Sequence, residues 1–381
     1  MAELMPILRD LVRRPSVNPM NRRLQGPEIF EHQVTAYLED YFRALGVRYE
    51  RQHIATGRDN IIAFTDHQVA APTLLFEAHQ DTVPAENMTI EPYAANIVGD
   101  RLYGRGACDV KGGMTAMLGA FTRLVLERPA KAVNLVLACT IDEEHTFLGV
   151  QRLVQANLPI QMAVVAEPTQ LQIVNAHKGV VRWHLETMGR SCHSSAPEQG
   201  RNAIYEMATL LSAIREYADW LCSTSVDSIL GPATLSVGLI EGGSSVNIVP
   251  DRCRIEVDRR LIPGEDPQAA PKELESYLRQ KLGNDFPFTS SGASMFAPPL
   301  DARLSNQLVH RLGRAIDAVK GTHRVASVPY GTDASTISEA GIPAVVFGPG
   351  DIAQAHTDDE WISLSEVEEA SEILYRFVCD R

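Results

Sequence analysis

Apolar positions along the chain follow two rhythms. Segments 60–65 (NIIAFT), 73–77 (TLLFE), 132–141 (AVNLVLACTI) and 162–167 (MAVVAE) are short apolar runs, the pattern of strands buried on both faces. Residues 114–128 instead carry apolar side chains at helical spacing. The first 45 residues read as two helices, the second over about 28–45, after Pro27 and before the stop signal Gly46. Residues 85–100 are polar and read as loop. Strands alternating with helices predict an α/β sheet covered on both faces.

From about residue 179 the texture changes. VVRWHLETM (180–188) alternates apolar and polar, as a strand with one wet face does. A helix over 203–221, strands at 233–241 and 253–262, a helix over 267–282 and a short strand near 286–290 follow. This β-α-β-β-α-β order is the split βαβ, ferredoxin-like arrangement, and the segment is long enough to fold as an inserted unit. After Pro299 the α/β texture returns, with helices near 305–319 and 365–378 and a strand at 344–347. The expectation is a discontinuous first domain, 1–178 and 296–381, enclosing an inserted α+β domain at 179–295.

Composition narrows the classes. A chain of 381 residues, 45% hydrophobic and 22% charged, reads as an ordinary soluble globular protein of more than one domain. The net charge is −13 and no basic stretch stands out, which argues against nucleic acid and acidic membranes as partners. No apolar run is long enough to span a bilayer. The opening MAELMPILRDLVRR interrupts its apolar positions with charges, unlike a signal peptide. Cys108, Cys139, Cys192, Cys222, Cys253 and Cys379 lack CxxC spacing, so reduced thiols and a cytoplasmic location are expected.

Polar residues cluster where four apolar runs end. LLFEAHQDTVP sets His79 and Asp81 past one strand, LVLACTIDEE sets Asp142, Glu143 and Glu144 past another, MAVVAEP ends on Glu167, and AVVFGPGDIAQAH leads to His356. In open α/β sheets ligands bind beyond the carboxyl ends of strands, so these clusters can meet at one edge. LYGRGACDVKGG (102–113) adds Asp109 in a glycine-rich turn before a helix. Imidazoles and carboxylates without a thiol suit Zn2+, Co2+ or Mn2+. So many acids in one cleft raise one another's pKa, and bound cations remove that conflict. Two ions about 3.5–4 Å apart need a bridging carboxylate, and Asp109 is the candidate. Asp81, two residues after His79, points the same way in extended chain and is expected to accept the other ring N–H. Glu143 and Glu144 point to opposite sides, so one can ligate while its neighbour takes a proton. Singly, each of these residues is more often structural or exposed; four strand-end clusters plus the Asp109 turn outweigh that.

EAHQDTVP, LYGRGACDVKGG, IDEE, AEP and GPGDIAQAH, in this order and over essentially the whole chain, resemble the co-catalytic zinc exopeptidases and deacylases. That family includes acetylornithine deacetylase, succinyl-diaminopimelate desuccinylase, carboxypeptidase G and aminoacylase. One departure is Glu77-Ala78 ahead of His79, where many members carry a Gly. The resemblance implies a zinc-exopeptidase-like mixed sheet flanked by helices, with an inserted ferredoxin-like lid or dimerisation domain. It also implies that Asp109 bridges two divalent ions, zinc foremost and cobalt next. His79 and Glu167 would complete one ion and Glu144 and His356 the other. Glu143 is then the general base and Asp81 the residue orienting His79. His193, in GRSCHSSAP, would stabilise the tetrahedral oxyanion from the partner subunit of a homodimer. Asn247 and Arg260 (or Arg259) would hold a substrate carboxylate, Arg through two parallel hydrogen bonds. Gly331-Thr332-Asp333 and the turn at 348–350 are expected as pocket walls.

The expected reaction is hydrolysis of the amide of an N-acyl amino acid, of the acetylornithine deacetylase or succinyl-diaminopimelate desuccinylase type. The alternative on the same scaffold is a di- or tripeptidase or carboxypeptidase. Two other classes remain to be weighed. A non-catalytic binding protein is expected to have lost a ligand or the base, and here every position is filled. A metal-independent serine or cysteine hydrolase lacks support, since no GxSxG is present and Cys108 has no base nearby in sequence.

Overall fold

The computed structural model describes residues 4–65 and 71–380. Positions 1–3 of the expected N-terminal helix and first domain, and position 381, lie outside them. The described chain divides into two compact units. One comprises the residues up to Asn175, Asp301–Ala326 and those from Thr332 onward; the other comprises Ala176–Leu300 with Ser327–Gly331.

The chain opens with α1 (Leu4–Val12) and α2 (His32–Leu45). α2 starts later than its pattern predicts. Phe30 sits at φ 67°, and the Glu31 carboxylate is held by the Arg58 guanidinium at 2.9 and 2.5 Å, so residues just before His32 form a turn. It ends as expected at Gly46, whose φ of 72° few other residues adopt cheaply. Then come β1 (Arg48–Ala55), β2 (Arg58–Phe64), β3 (Thr73–His79), α3 (Gly112–Glu127), β4 (Asn134–Thr140), α4 (Leu148–Gln155), β5 (Met162–Val165) and β6 (Ile173–His177). The next elements are β7 (Gly179–Met188), α5 (Ala203–Thr224), β8 (Thr234–Gly242), β9 (Arg252–Leu261), α6 (Ala270–Leu282) and β10 (Phe288–Ser290). The chain closes with α7 (Asn306–Lys320), β11 (Val325–Val328), α8 (Asp333–Glu339), β12 (Ala344–Val346) and α9 (Leu364–Cys379).

The first unit is built on a mixed sheet of order β1-β2-β4-β3-β5-β12-β6-β11. Its centre is parallel: β3 pairs in parallel with β4 and β5, and β12 with β5. These strands are buried along their length, which is why they read as unbroken apolar runs. α9 buries Val367, Ile373, Leu374 and Phe377 in the same core as Met117, Phe121 and Leu124 of α3, each worth about 1.5–3 kcal/mol of apolar burial. β1 (RYERQHIA) escaped the hydropathy reading because it is an edge strand with largely exposed side chains.

In the second unit the sheet order is β8-β9-β7-β10, every neighbour antiparallel. In chain order that is strands 2-3-1-4, the ferredoxin-like arrangement. Buried positions on β7 (Val181, Trp183, Leu185) and β9 (Ile255, Val257) form one core with Met207, Leu210 and Ile214 of α5 and Leu274 and Leu278 of α6. The period-2 alternation read from the sequence is this one-sided burial.

Candidate metal centre

The parallel strands end level with one another. His79 lies opposite Thr140, and Glu77 opposite Val165, which in turn pairs with Val346. The segments that follow, carrying Asp81, Glu143-Glu144, Glu167 and His356, therefore leave the sheet at one edge, where α/β folds bind ligands.

Five side chains converge there. His79 Nε2 is 3.1 Å from Asp109 Oδ1 and 4.0 Å from Glu167 Oε1. His356 Nε2 is 3.3 Å from Asp109 Oδ2 and 3.2 Å from Glu144 Oε1. The donor atoms form two groups, His79/Asp109/Glu167 and Asp109/Glu144/His356, each within 4.8 Å. Asp109 belongs to both and turns one oxygen to each histidine. His79, Asp109 and Glu167 are buried, whereas the His356 side chain is 51% exposed, so the second group is the one open to solvent.

This donor set fits a pair of divalent cations. His79 Nδ1 lies 2.9 Å from the main-chain carbonyl of Asp81, so that nitrogen carries the hydrogen. Nε2 then points its lone pair at the Asp109 carboxylate, and only a proton or a cation makes that approach favourable. The titration of the site says the same. Burial disfavours charge on His79, but the hydrogen bond its ring donates to Asp109 and the charges of Glu143, Glu167 and Asp109 outweigh it and hold its imidazole well above its usual range. Hydrogen bonds to Asp109 and Glu144 carry His356 up to about 10. Burial, with neighbouring carboxylates, pushes Glu143, Glu144 and Glu167 up. The three glutamates are pushed toward protonation and the imidazoles toward charge because the pocket carries an excess of carboxylate, while for Asp109 burial is outweighed by the hydrogen bonds and charges of His356 and His79, which hold it below its usual range. Two cations would supply the missing positive charge, and an imidazole–carboxylate set without thiol suits zinc, cobalt or manganese.

Asp81 differs from its expected arrangement. Its carboxylate stands 3.7 Å from His79 Nδ1, and the hydrogen bond to the ring goes to its carbonyl instead. The carboxylate accepts the main-chain N–H of Glu143 (3.1 Å) and of Glu144 (3.2 Å), and the Asn18 amide (2.8 Å). Three N–H donors outcompete one ring nitrogen, so the side chain fixes the Glu143-Glu144 segment while the backbone orients His79.

Glycines shape the Asp109 turn. Gly106 has φ 79°, and a Cβ there would meet Thr82 Cγ2 at 2.6 Å. The Asp109–Val110 peptide bond is cis. Cys108 is buried with its thiol pushed far up by desolvation and by Glu360, so it stays protonated and is no nucleophile.

The remaining expected residues lie elsewhere. In the second unit His193 is exposed, forms an isolated bridge with Ile248 and has Nδ1 2.7 Å from Ser195 Oγ. Asn247 is its neighbour, its carbonyl accepting the Ser194 N–H at 3.0 Å. Arg259 and Arg260 face opposite sides of β9. Arg259 is buried and bound to Glu265 (2.7 Å), Glu273 (2.8 Å) and the Tyr217 hydroxyl (3.3 Å). Its guanidinium is thus engaged by ion pairs, whereas Arg260 is 30% exposed with Nε on Asp258. Gly331 also belongs to the second unit. Thr332, in the first, is buried and caps α8, its hydroxyl accepting the Ala334 N–H.

Sequence reasoning missed several buried polar residues around the site. Asn18 bridges Asp81 and Asp142 (2.9 Å), and Arg58 joins Asp142 (2.9 Å) to Glu31. Beneath His79, Glu77 accepts the Thr140 hydroxyl at 2.6 Å beside Asp333, and burial lifts Glu77 to about 7 and Asp333 well above its usual range. Glu77 is thus a buried carboxyl in the segment that departs from the family pattern. Glu360 holds the Asp109 turn. Asn18, Arg58 and Glu360 sit in stretches whose local pattern reads as loop or surface; Glu77, an acid inside an apolar run, was the one visible signal.

Comparison with known proteins places this architecture. An acetylornithine deacetylase from Myxococcus xanthus is 32% identical over 310 residues, 80% of this chain and 79% of that one. An M20 family metallo-carboxypeptidase from Sulfolobus solfataricus superposes with a TM-score of 0.80 at 22% identity, covering 100% and 99% of the two chains. A dinuclear metal binding peptidase of the M20 family from Bacillus subtilis superposes with a TM-score of 0.72 at 16% identity, covering 99% and 96%. The profile of peptidase family M20/M25/M40 matches residues 75–380, the span that carries both donor groups. A shared carboxylate between two imidazole–carboxylate groups at the edge of this sheet, together with these matches, identifies the chain as a metal-dependent hydrolase belonging to peptidase family M20/M25/M40.

Proposed function

We propose that this hydrolase cleaves the amide bond of an N-acyl amino acid, in the manner of the acetylornithine deacetylases it resembles. The observation that carries the proposal is Asp109, with one oxygen toward His79 and the other toward His356. In this reading His79 and Glu167 would hold one ion, Glu144 and His356 the other, and Asp109 would serve both, with zinc the first choice of metal and cobalt the second. When bound, the cations supply Lewis acidity toward the scissile carbonyl and lower the pKa of water toward about 7.

Glu143 takes the proton of the attacking water and returns it to the leaving amine nitrogen. Its main-chain N–H is fixed by Asp81, so base and adjacent ligand share one anchored segment. Burial first, and the Glu167 charge second, place its carboxyl above its usual range. His193 serves the developing oxyanion, supplied by a second copy of the chain. Asn247 and Arg260 take the substrate carboxylate, and Gly331 and Thr332 form pocket wall.

Homodimerisation through the inserted unit is part of the proposal. β8 is a sheet edge, and Leu239, Ile240 and Val246 near it are 63%, 56% and 100% exposed, a surface that a second β8 would cover. A cytoplasmic location is proposed from the cysteines, all of which are free. Among the described residues no helix is long and apolar enough to cross a membrane.

A panel of N-acetylornithine, N-succinyl-diaminopimelate, other N-acetyl amino acids and di- and tripeptides, assayed with zinc and with cobalt, tests the reading. Higher kcat/KM on an acyl amino acid supports it. Preference for peptides replaces it with the exopeptidase reading on the same centre.

A further inference from the structure

We propose that Glu360 is a positioning residue that clips together the two loops bearing Asp109 and His356, and that it sets the order in which the two ions are lost. The proposal rests on the dinuclear reading above.

The geometry starts from a small sheet. Trp361–Ser363 pairs antiparallel with Arg101–Tyr103, Trp361 opposite Tyr103. One residue further along, the Gly104 N–H donates to the Glu360 carbonyl at 2.9 Å. This pairing brings the Glu360 side chain against the turn that follows Tyr103. There its carboxylate is saturated: Oε2 accepts Arg105 Nη1 at 2.6 Å and the Gly106 N–H at 3.0 Å. Oε1 accepts the Cys108 N–H at 2.9 Å and the Asp109 N–H at 3.0 Å. Glu360 is fully buried and Arg105 nearly so, so these charge-assisted bonds meet little competition from water. Arg105 Nη2 reaches back to the Thr357 carbonyl at 3.3 Å, next to His356. One buried ion pair therefore joins the backbone of Asp109 to the loop of His356.

The two donor groups depend on this clip unequally. Of His79, Asp109 and Glu167, only Asp109 rests on it; His79 ends β3, and Glu167 lies two residues beyond β5. Of Asp109, Glu144 and His356, both Asp109 and His356 rest on it. Loosening the clip moves two of the three ligands in the second group and one in the first. The half-exposed His356 group is the weaker site once Glu360 is altered, and the protein passes through a one-ion form.

The test is Glu360→Gln. The shape is kept, but an amide N–H2 replaces one oxygen, so whichever way it turns two of the four N–H donors lose their acceptor. Zinc binding to wild type and variant is measured by competition with a chromogenic chelator, and melting is followed on the metal-free proteins. Expected are two ions per wild-type chain. In the variant one ion should bind within about threefold of wild type and the other at least tenfold more weakly, the range typical of residues that orient metal ligands. His356→Ala should remove the same ion, which identifies the weakened site. Arg105→Lys keeps the charge but loses the fork to the Thr357 carbonyl; it should show the same ordered loss if Glu360→Gln does not fold. Two unchanged ions in the variants, or both weakened in parallel, overturn the clip. A wild-type chain that binds no second zinc, or an Asp109→Asn chain that still binds two, overturns the dinuclear reading instead.

Discussion

The ring of His79 is hydrogen-bonded to the carbonyl of Asp81, not to its carboxylate. Two functions are thereby divided between the backbone and the side chain of one residue. The backbone of residue 81 fixes the tautomer of the His79 imidazole, whose Nε2 faces Asp109. Its carboxylate, two residues along in an extended segment, reaches across to hold Glu143 and Glu144 by their N–H groups.

Asp81→Ala is accordingly expected to act on the base more than on the metal. The peptide carbonyl survives the substitution, so zinc content should hold. The Glu143 segment loses its acceptor, and a displacement of about 1 Å costs on the order of 10²-fold in kcat. Stability should fall by about 1–3 kcal/mol, the cost of leaving buried donors unpaired. Zinc analysis beside steady-state kinetics checks this; intact kcat with lost zinc would show that the carboxylate serves His79 after all.

Glu143→Gln preserves shape and removes the proton acceptor. Turnover should drop by roughly 10²–10⁴-fold with both ions retained, the usual contribution of a general base. Near-normal kcat in a metal-replete variant would assign the base elsewhere.

Chelation should abolish activity, and added zinc should restore it. Because the donor groups join segments from residue 79 to residue 356, bound ions would also tie the first unit together. A site at a hundredfold excess of free zinc over its Kd contributes about 2.7 kcal/mol, so chelated protein should melt earlier. Melting that ignores both chelator and zinc would mean that no ion binds the folded chain.

His177 offers a pH dependence away from the metal centre. It is buried, and desolvation lowers it to about 4, against an ordinary value of 6.5. The unfolded chain therefore binds the extra proton between those values, and stability is lost as pH falls through that window. From pH 7 to pH 5 the loss from this residue is about 2 kcal/mol. Denaturant melts at the two pH values should show wild type losing that much more than His177→Gln. Equal losses in the two proteins would show that the ring is protonated in the fold.

Local pattern alone carried a large part of this protein. Buried parallel strands announce themselves as unbroken apolar runs, the inserted sheet as alternation, and helix ends as Gly46 and its like, because each of these depends on a residue and its near neighbours. The meeting of His79, Asp109, Glu144, Glu167 and His356 was legible too, since parallel strands must release their loops at one edge. Tertiary structure alone decided what distant pairing controls. The acids of HTDDE look like solvated surface until Trp361–Ser363 pairs with Arg101–Tyr103 and turns Glu360 into the buried anchor of the Asp109 loop. Asp81 had its carboxylate taken by the N–H groups of Glu143 and Glu144, 62 and 63 residues away, and Arg259 was separated from Arg260 by its buried pairing with Glu265, Glu273 and Tyr217. A hydrogen-bond donor has no sequence signature until the fold brings it to its acceptor, and that is where the chain stops being readable one segment at a time.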